Sequence, residues 1–189
     1  MIRRLSQGVL IVGLLSLLVI HLPAQAAVSV GGLEKRGDAT VTFDASGPGG
    51  TALQGVTSEV TFLDGEKVVL TVALDGLKTG IGLRDKHLRE KYLETAKYPK
   101  AELSVVRAAL KIPDSGGSSQ GIVAATFTVH GKTHPVVLSY SIKALGEIYQ
   151  VSGSFHLNIQ DFGIETPSYL GLTVKPQVDA RASFQLQHR

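Results

Sequence analysis

His130 and His134 stand four apart in the string VHGKTHP. On a helix that spacing would put two imidazoles on one face, where they could hold a cation. A Gly131-Lys132 step lies between them and no Cys, Asp or Glu stands beside them, so both are expected on the surface of a hairpin. Arg84, Asp85, Glu90 and Lys91 gather acids and bases in one short segment, and their expected roles are solvated pairing and the anchoring of a loop. Asp161 and Glu165 supply the two carboxylates that acid–base chemistry needs, but a spacing of four in a loop fixes no distance between them. His156 follows the polar beat of Asn158 and Gln160 and is expected to face solvent. His87 falls among Leu83, Leu88 and Tyr92, which places it in the core or at a polar mouth. There is no G-x-S-x-G turn and no cysteine, and GPGG (47–50) lacks the Lys and Ser/Thr of a phosphate loop. These residues ask for no catalysis, no metal and no cofactor, and the chain is not expected to be an enzyme.

The elements that would position them are strands. From Ala39 onward the dominant period is two: Ala39-Val41-Phe43-Ala45, Val56-Ser58-Val60-Phe62, Val68-Leu70-Val72-Leu74 and Ala101-Leu103-Val105. It resumes in Val123 to Val129, Val136 to Ile142, Tyr149 to Ile159 and Val178 to Leu186, with Thr, Ser, Gln, Glu, Lys and Arg between. Such alternation gives each strand one buried and one wet face, which a parallel sheet covered on both sides would not show. Eight antiparallel strands are therefore expected, as a two-sheet sandwich or a closed barrel. Asp64-Gly65, Gly131-Lys132 and Gly146 mark hairpin turns.

One segment departs from the beat. Residues 83–95 carry Leu83, His87, Leu88, Tyr92 and Leu93 at helical spacing, which predicts one helix or two short ones in a crossover between the third and fourth strands. The stretch 113–121 is expected to be flexible. The connection 161–176 holds Phe162, Ile164, Tyr169 and Leu170, too apolar to be left in water, and is expected to fold over one end.

Parity gathers Phe43, Phe62, Leu70, Val72, Leu103, Phe127, Leu138, Tyr140, Phe155, Leu157 and Phe184 on one side of the sheet. The titratable groups expected on that side are only Tyr140 and Tyr149. Those side chains could fill a solid core or line a lumen, and the alternation leaves both open.

The chain has 189 residues, 43% hydrophobic and 19% charged, which suits one domain. Its net charge is +3, and two of the positive residues, Arg3 and Arg4, lie in a segment expected to be removed. What remains is nearly neutral, without the basic stripe that nucleic acid requires. Arg3-Arg4, the apolar run Val9–Leu22, Pro23 and Ala24-Gln25-Ala26 follow the order of a secretory signal peptide. The run is shorter than the roughly 20 residues of a spanning helix. Residues 1–26 are thus expected to be cleaved, leaving a domain at 27–189 that starts at Ala27, has no stable membrane span and is periplasmic or secreted. Without cysteine, its core alone must stabilise it there.

Three blocks invite a family name. The string LKTGIGLRDKHLREKYLETAKYPKAELS (77–104) carries Thr79-Gly80, Arg84-Asp85, His87-Leu88 and Tyr98-Pro99; FTVHGKTHPVVL (127–138) and IQDFGIETP (159–167) follow in order. Together they resemble the YceI-like family of exported polyisoprenoid-binding proteins over residues 39–187. Gln160 departs from the arginine frequent in that family. The resemblance implies an all-β, eight-stranded antiparallel, lipocalin-like β-barrel with a short helical crossover between strands three and four. It further implies a long-chain isoprenoid or similar amphiphile in the interior, carried or sequestered, with the parity residues as its lining. The bound lipid would be a ligand rather than a cofactor. A homodimer stays open. The competing readings are an envelope stress or interaction protein with a solid barrel, or an enzyme acting on a lipid or quinone precursor.

Overall fold

A computed structural model describes residues 32–169 and 172–189. The expected signal peptide, the Ala27 terminus and Leu170 lie outside the described residues. Nine strands form one antiparallel sheet: β1 (Leu33–Ser46), β2 (Ala52–Thr57), β3 (Val60–Asp64), β4 (Lys67–Ala73), β5 (Lys100–Val106), β6 (Ser118–Val129), β7 (Lys132–Leu145), β8 (Ile148–Asn158) and β11 (Gln177–His188). A small hairpin, β9 (Ser168–Tyr169) with β10 (Leu172–Thr173), lies between β8 and β11. The order β2-β1-β11-β8-β7-β6-β5-β4-β3 puts the sequence neighbours β2 and β3 at opposite edges. One bent segment, 52–64, therefore brings the two edges together and nearly closes the barrel.

That bend corrects the expected strand count from eight to nine. The second expected strand breaks at Ser58-Glu59, where Glu59 N–H donates to the Thr57 hydroxyl at 3.1 Å. A Thr side chain that satisfies its neighbour's amide locally offers the backbone an alternative to the ladder. Beyond the break the chain changes partner: β2 pairs with β1, β3 with β4.

The crossover contains α1 (Gly82–His87), followed by a π-helical turn over Leu88–Tyr92. Leu88, Tyr92 and Leu93 face the core as expected. Leu83 is 65% exposed and His87 is also exposed, contrary to expectation. The reason is that α1 docks through a polar residue: Asp85 is buried and accepts the Thr79 N–H at 2.7 Å and the Thr79 hydroxyl. Arg84 completes the anchor, with Nε donating to Thr79 Oγ1 at 2.7 Å and Nη2 to Thr79 O at 2.5 Å. Hydrogen bonds from Thr79, aided by Arg89 and Arg84, hold the Asp85 carboxyl below its ordinary range against the opposing effect of burial.

The crossover, the His130-Gly131 turn and the start of the 159–176 connection share one end of the barrel, the crossover end. There Phe162 is 1% exposed and Leu74 2%, packed with Leu77, Leu93, Val129 and Ile164. The opposite end carries the Gly65-Glu66 turn, the 107–117 connection and the Gly146-Glu147 turn. The expectation of a flexible 113–121 is corrected in part, since Ser118–Gly121 pairs with Tyr140–Lys143 inside the ladder.

Candidate functional site

The barrel interior is a filled half joined to a hollow half. Phe127 and Phe155 rings meet at 4.9 Å, and Phe127 meets Phe162 edge-on at 5.7 Å, an aromatic floor above the packed crossover end. From that floor an apolar cavity of about 100 Å³ extends towards the opposite end. Every residue of the expected inward set lines it except Leu157. Leu157 is instead buried below the floor in the packed cluster, because it lies one inward step beyond Phe155 towards the crossover end. Phe43, Phe62, Leu103 and Phe184 point inward and are nevertheless only half-buried. Large apolar side chains enclosed by a barrel are fully covered when the core is solid. Here they keep accessible surface because the space beside them is empty.

The sequence reading missed two charged residues of the lining. Asp64 ends the inward beat Val60-Phe62-Asp64, and Arg107 continues Ala101-Leu103-Val105; both line the cavity at the end away from the floor. Parity carries that signal, but an apolar beat stops at Phe62 and Val105, one inward step short of them. The Asp64 side chain is 0% exposed and Arg107 26%. Asp64 Oδ1 accepts from Arg107 Nε at 2.9 Å, and Oδ2 accepts the N–H groups of Gly32 and Leu33, each at 3.1 Å. No ladder joins β1 to β3, so this carboxylate stands in for one and staples the seam where the barrel closes. Above the cavity, Leu110 and Ile112 of the 107–117 connection add apolar cover, and Lys111 N–H donates to the Tyr140 hydroxyl at 3.1 Å. Tyr149 is outside the lining, its hydroxyl 3.0 Å from His188 Nε2.

The histidines fall differently from expectation. His156 faces solvent beside Asp179, as expected. His130 is not a free surface residue, for its side chain is 12% exposed. Its Nε2 lies 2.7 Å from Glu94 Oε2 and its Nδ1 3.2 Å from Phe162 O, with Tyr98 packed against the ring at 4.6 Å. One imidazole thus clasps three segments of the crossover end. His130 and Glu94 are also the described non-glycine residues with positive φ, 53° and 45°, so the strain of two left-handed turns is held by the bond between them. His134 packs edge-on against Phe162 at 5.0 Å. Among the described residues no cluster of three His, Cys, Asp or Glu could hold a metal ion. Asp161 and Glu165 do not act as a pair; Glu165 instead meets Lys91 at 3.6 Å on the surface.

With this geometry in place, a family model for the YceI-like domain matches residues 26–186. The chain belongs to the YceI-like family. Its barrel is similar to a polyisoprenoid-binding domain from Saccharophagus degradans implicated in plant cell wall breakdown, with a TM-score of 0.70, 15% identity, and coverage of 84% of this chain and 99% of that one. Burkholderia cenocepacia BcnA is similar at a TM-score of 0.64 and 14% identity, over 78% of this chain and 95% of that one. Campylobacter jejuni YceI protein gives 0.55 and 15%, over 74% and 86%. A search of curated proteins returns no match. At such identities the structural neighbours establish a shared lipocalin-like fold, and this YceI-like chain's own cavity must argue for what it holds.

Proposed function

We propose that this YceI-like protein is exported and carries or sequesters a long-chain isoprenoid or similar amphiphile in its barrel, as a binding protein without catalytic activity. The observation that carries this reading is the hollow half: Phe43, Phe62, Leu103 and Phe184 half-covered around an almost wholly apolar space. Such a surface gains about 0.8 kcal/mol for each methylene it takes out of water, so affinity grows with tail length. The Saccharophagus degradans neighbour is a polyisoprenoid-binding domain, which supports an isoprenoid as the class. The family match begins at residue 26, beside the expected cleavage after Ala26, which supports export. No described helix is long and apolar enough to cross a membrane.

The cavity of about 100 Å³ is smaller than the roughly 300–1,000 Å³ typical of small-molecule sites. Lipid uptake therefore requires the half-buried Phe43, Phe62 and Phe184 to change rotamer and widen it. Native mass spectrometry of the protein purified from the exported fraction tests the reading. A mass increment that organic extraction removes, and that returns on adding a polyprenol, is the expected result. Protein that carries no extractable lipid and binds no polyprenol would leave the barrel a scaffold.

A further inference from the structure

Polar groups at the far end of the cavity are unevenly used. Asp64 has both oxygens engaged, by Arg107 Nε and by the Gly32 and Leu33 amides. Arg107 spends only Nε; among the described residues Nη1 and Nη2 donate to no protein acceptor. Its side chain is 26% exposed and lines the cavity. The Tyr140 hydroxyl, on the same lining, accepts the Lys111 N–H and keeps its own proton to give. That end of the cavity thus offers donors, while its carboxylate is fully occupied. The other end is shut by the Phe127–Phe155 floor and by Phe162 beneath it. A tail must lie against the floor, and a head must lie towards Arg107.

Resting on the carrier reading, we propose that Arg107 receives the polar head of the lipid through its terminal guanidinium N–H groups, and that this head is a neutral oxygen acceptor rather than a phosphate or diphosphate. Charge decides between the two. The Arg107 cation is neutralised by the Asp64 carboxylate 2.9 Å away, so a second anion would meet a site of no net charge and be pushed towards a buried carboxylate. Arg181 borders the cavity only through its backbone; its side chain is exposed on the outer face of β11, where Asp44 and Asp179 engage it. An alcohol, carbonyl or quinone oxygen needs no such counter-charge, and a guanidinium held at Nε presents its remaining donors in a fixed plane.

The test uses lipid-stripped protein and three probes of one branched carbon skeleton: geranylgeraniol and geranylgeranyl diphosphate, which share an unsaturated tail, and the saturated hydrocarbon phytane, whose binding is compared only between protein variants. Affinities are measured by displacement of a fluorescent fatty acid. Wild-type protein should prefer the alcohol to the diphosphate by at least about tenfold. Arg107→Lys keeps the Asp64 carboxylate paired but gathers all its N–H donors on one nitrogen held at Asp64, without the planar fork that reaches beyond it, and Asp64→Asn/Arg107→Met removes both charges together. Each should weaken geranylgeraniol by about tenfold, the loss of one charge-assisted hydrogen bond, and leave phytane within about twofold. Diphosphate binding as tight as the alcohol overturns the proposal, as does a parallel loss of alcohol and phytane in both variants, which marks a merely structural arginine. Unchanged alcohol binding in the variants overturns it too while the carrier reading stands. Failure of all three probes to bind wild-type protein overturns the carrier reading itself.

Discussion

Asp64→Ala tests how the barrel is closed. The carboxylate serves two backbone amides at 3.1 Å and Arg107 Nε at 2.9 Å, from a side chain that is 0% exposed. Leu33 is 2% exposed, so its amide is orphaned outright at about 1–3 kcal/mol. Gly32 is half-buried and recovers part of its loss from water. Removing one partner of a buried ion pair costs about 3–5 kcal/mol, but a guanidinium 26% exposed turns towards solvent and avoids much of that. The sum comes to about 3 kcal/mol, or about 6–12 °C in Tm for a domain of this size. Asp64→Asn keeps one acceptor oxygen and should lose about half as much. Urea unfolding with an unchanged m-value gives the equilibrium figure, and hydrogen exchange at Gly32 and Leu33 locates the damage. Loss of less than about 1 kcal/mol in the alanine variant, or unchanged protection of those two amides, would refute the staple.

Leu138→Trp, placed beside Gly153 on the lining, should displace bound lipid at a stability cost below the roughly 1–3 kcal/mol of overpacking a solid core; lipid content by native mass spectrometry and Tm report the two effects. Val72→Asp puts a carboxylate on a residue 5% exposed and should cost several kcal/mol or abolish lipid binding, whereas the outward Thr71→Asp should do neither. His130→Ala loses both clasp bonds yet keeps the strained turn at φ 53°, so His130→Gly should be the more stable variant by about 1 kcal/mol in urea unfolding. Asp85, held below the ordinary range, adds stability that is complete above the unfolded value of about 3.9 and is lost as pH falls through the lower folded value. Asp85→Asn should therefore flatten that acid limb of the urea-derived stability curve.

Period two made the inward face legible almost in full, because a strand exposes its faces in strict alternation and a hydrophobic interior enforces it. Leu157 shows the limit: parity assigns a face but not a height along the barrel, and height separates lumen from filler. The break at Ser58-Glu59 was illegible because Val56, Ser58, Val60 and Phe62 keep their beat through it. What ends the strand there is a bond from the Glu59 amide back to the Thr57 hydroxyl, which alternation does not record. The anchor of α1 was missed for a related reason. Helical periodicity ranks apolar positions and so favoured Leu83 over Asp85, while the carboxylate was turned inward by Thr79, six residues earlier. His130 has partners 32 and 36 residues away and Asp64 has partners 31 to 43 away, and no local pattern points to them.

The unequal filling of the two halves carries an energetic argument. At the crossover end, Leu74, Leu77, Leu93, Phe162 and Ile164 are buried to near completion, and that half can hold the fold without help from the lumen. In the other half the unfilled cavity of about 100 Å³ forgoes stability at about 24 cal/mol per Å³, or about 2 kcal/mol in all. A domain can bear a loss of that size when the remainder of its core is dense. A ligand that fills the space recovers it, and every further methylene it buries adds to the gain. The protein is then expected to be stabilised by its cargo, increasingly with the logarithm of free lipid above its Kd, with the walls yielding around the half-buried phenylalanines while the Asp64 staple keeps the seam shut.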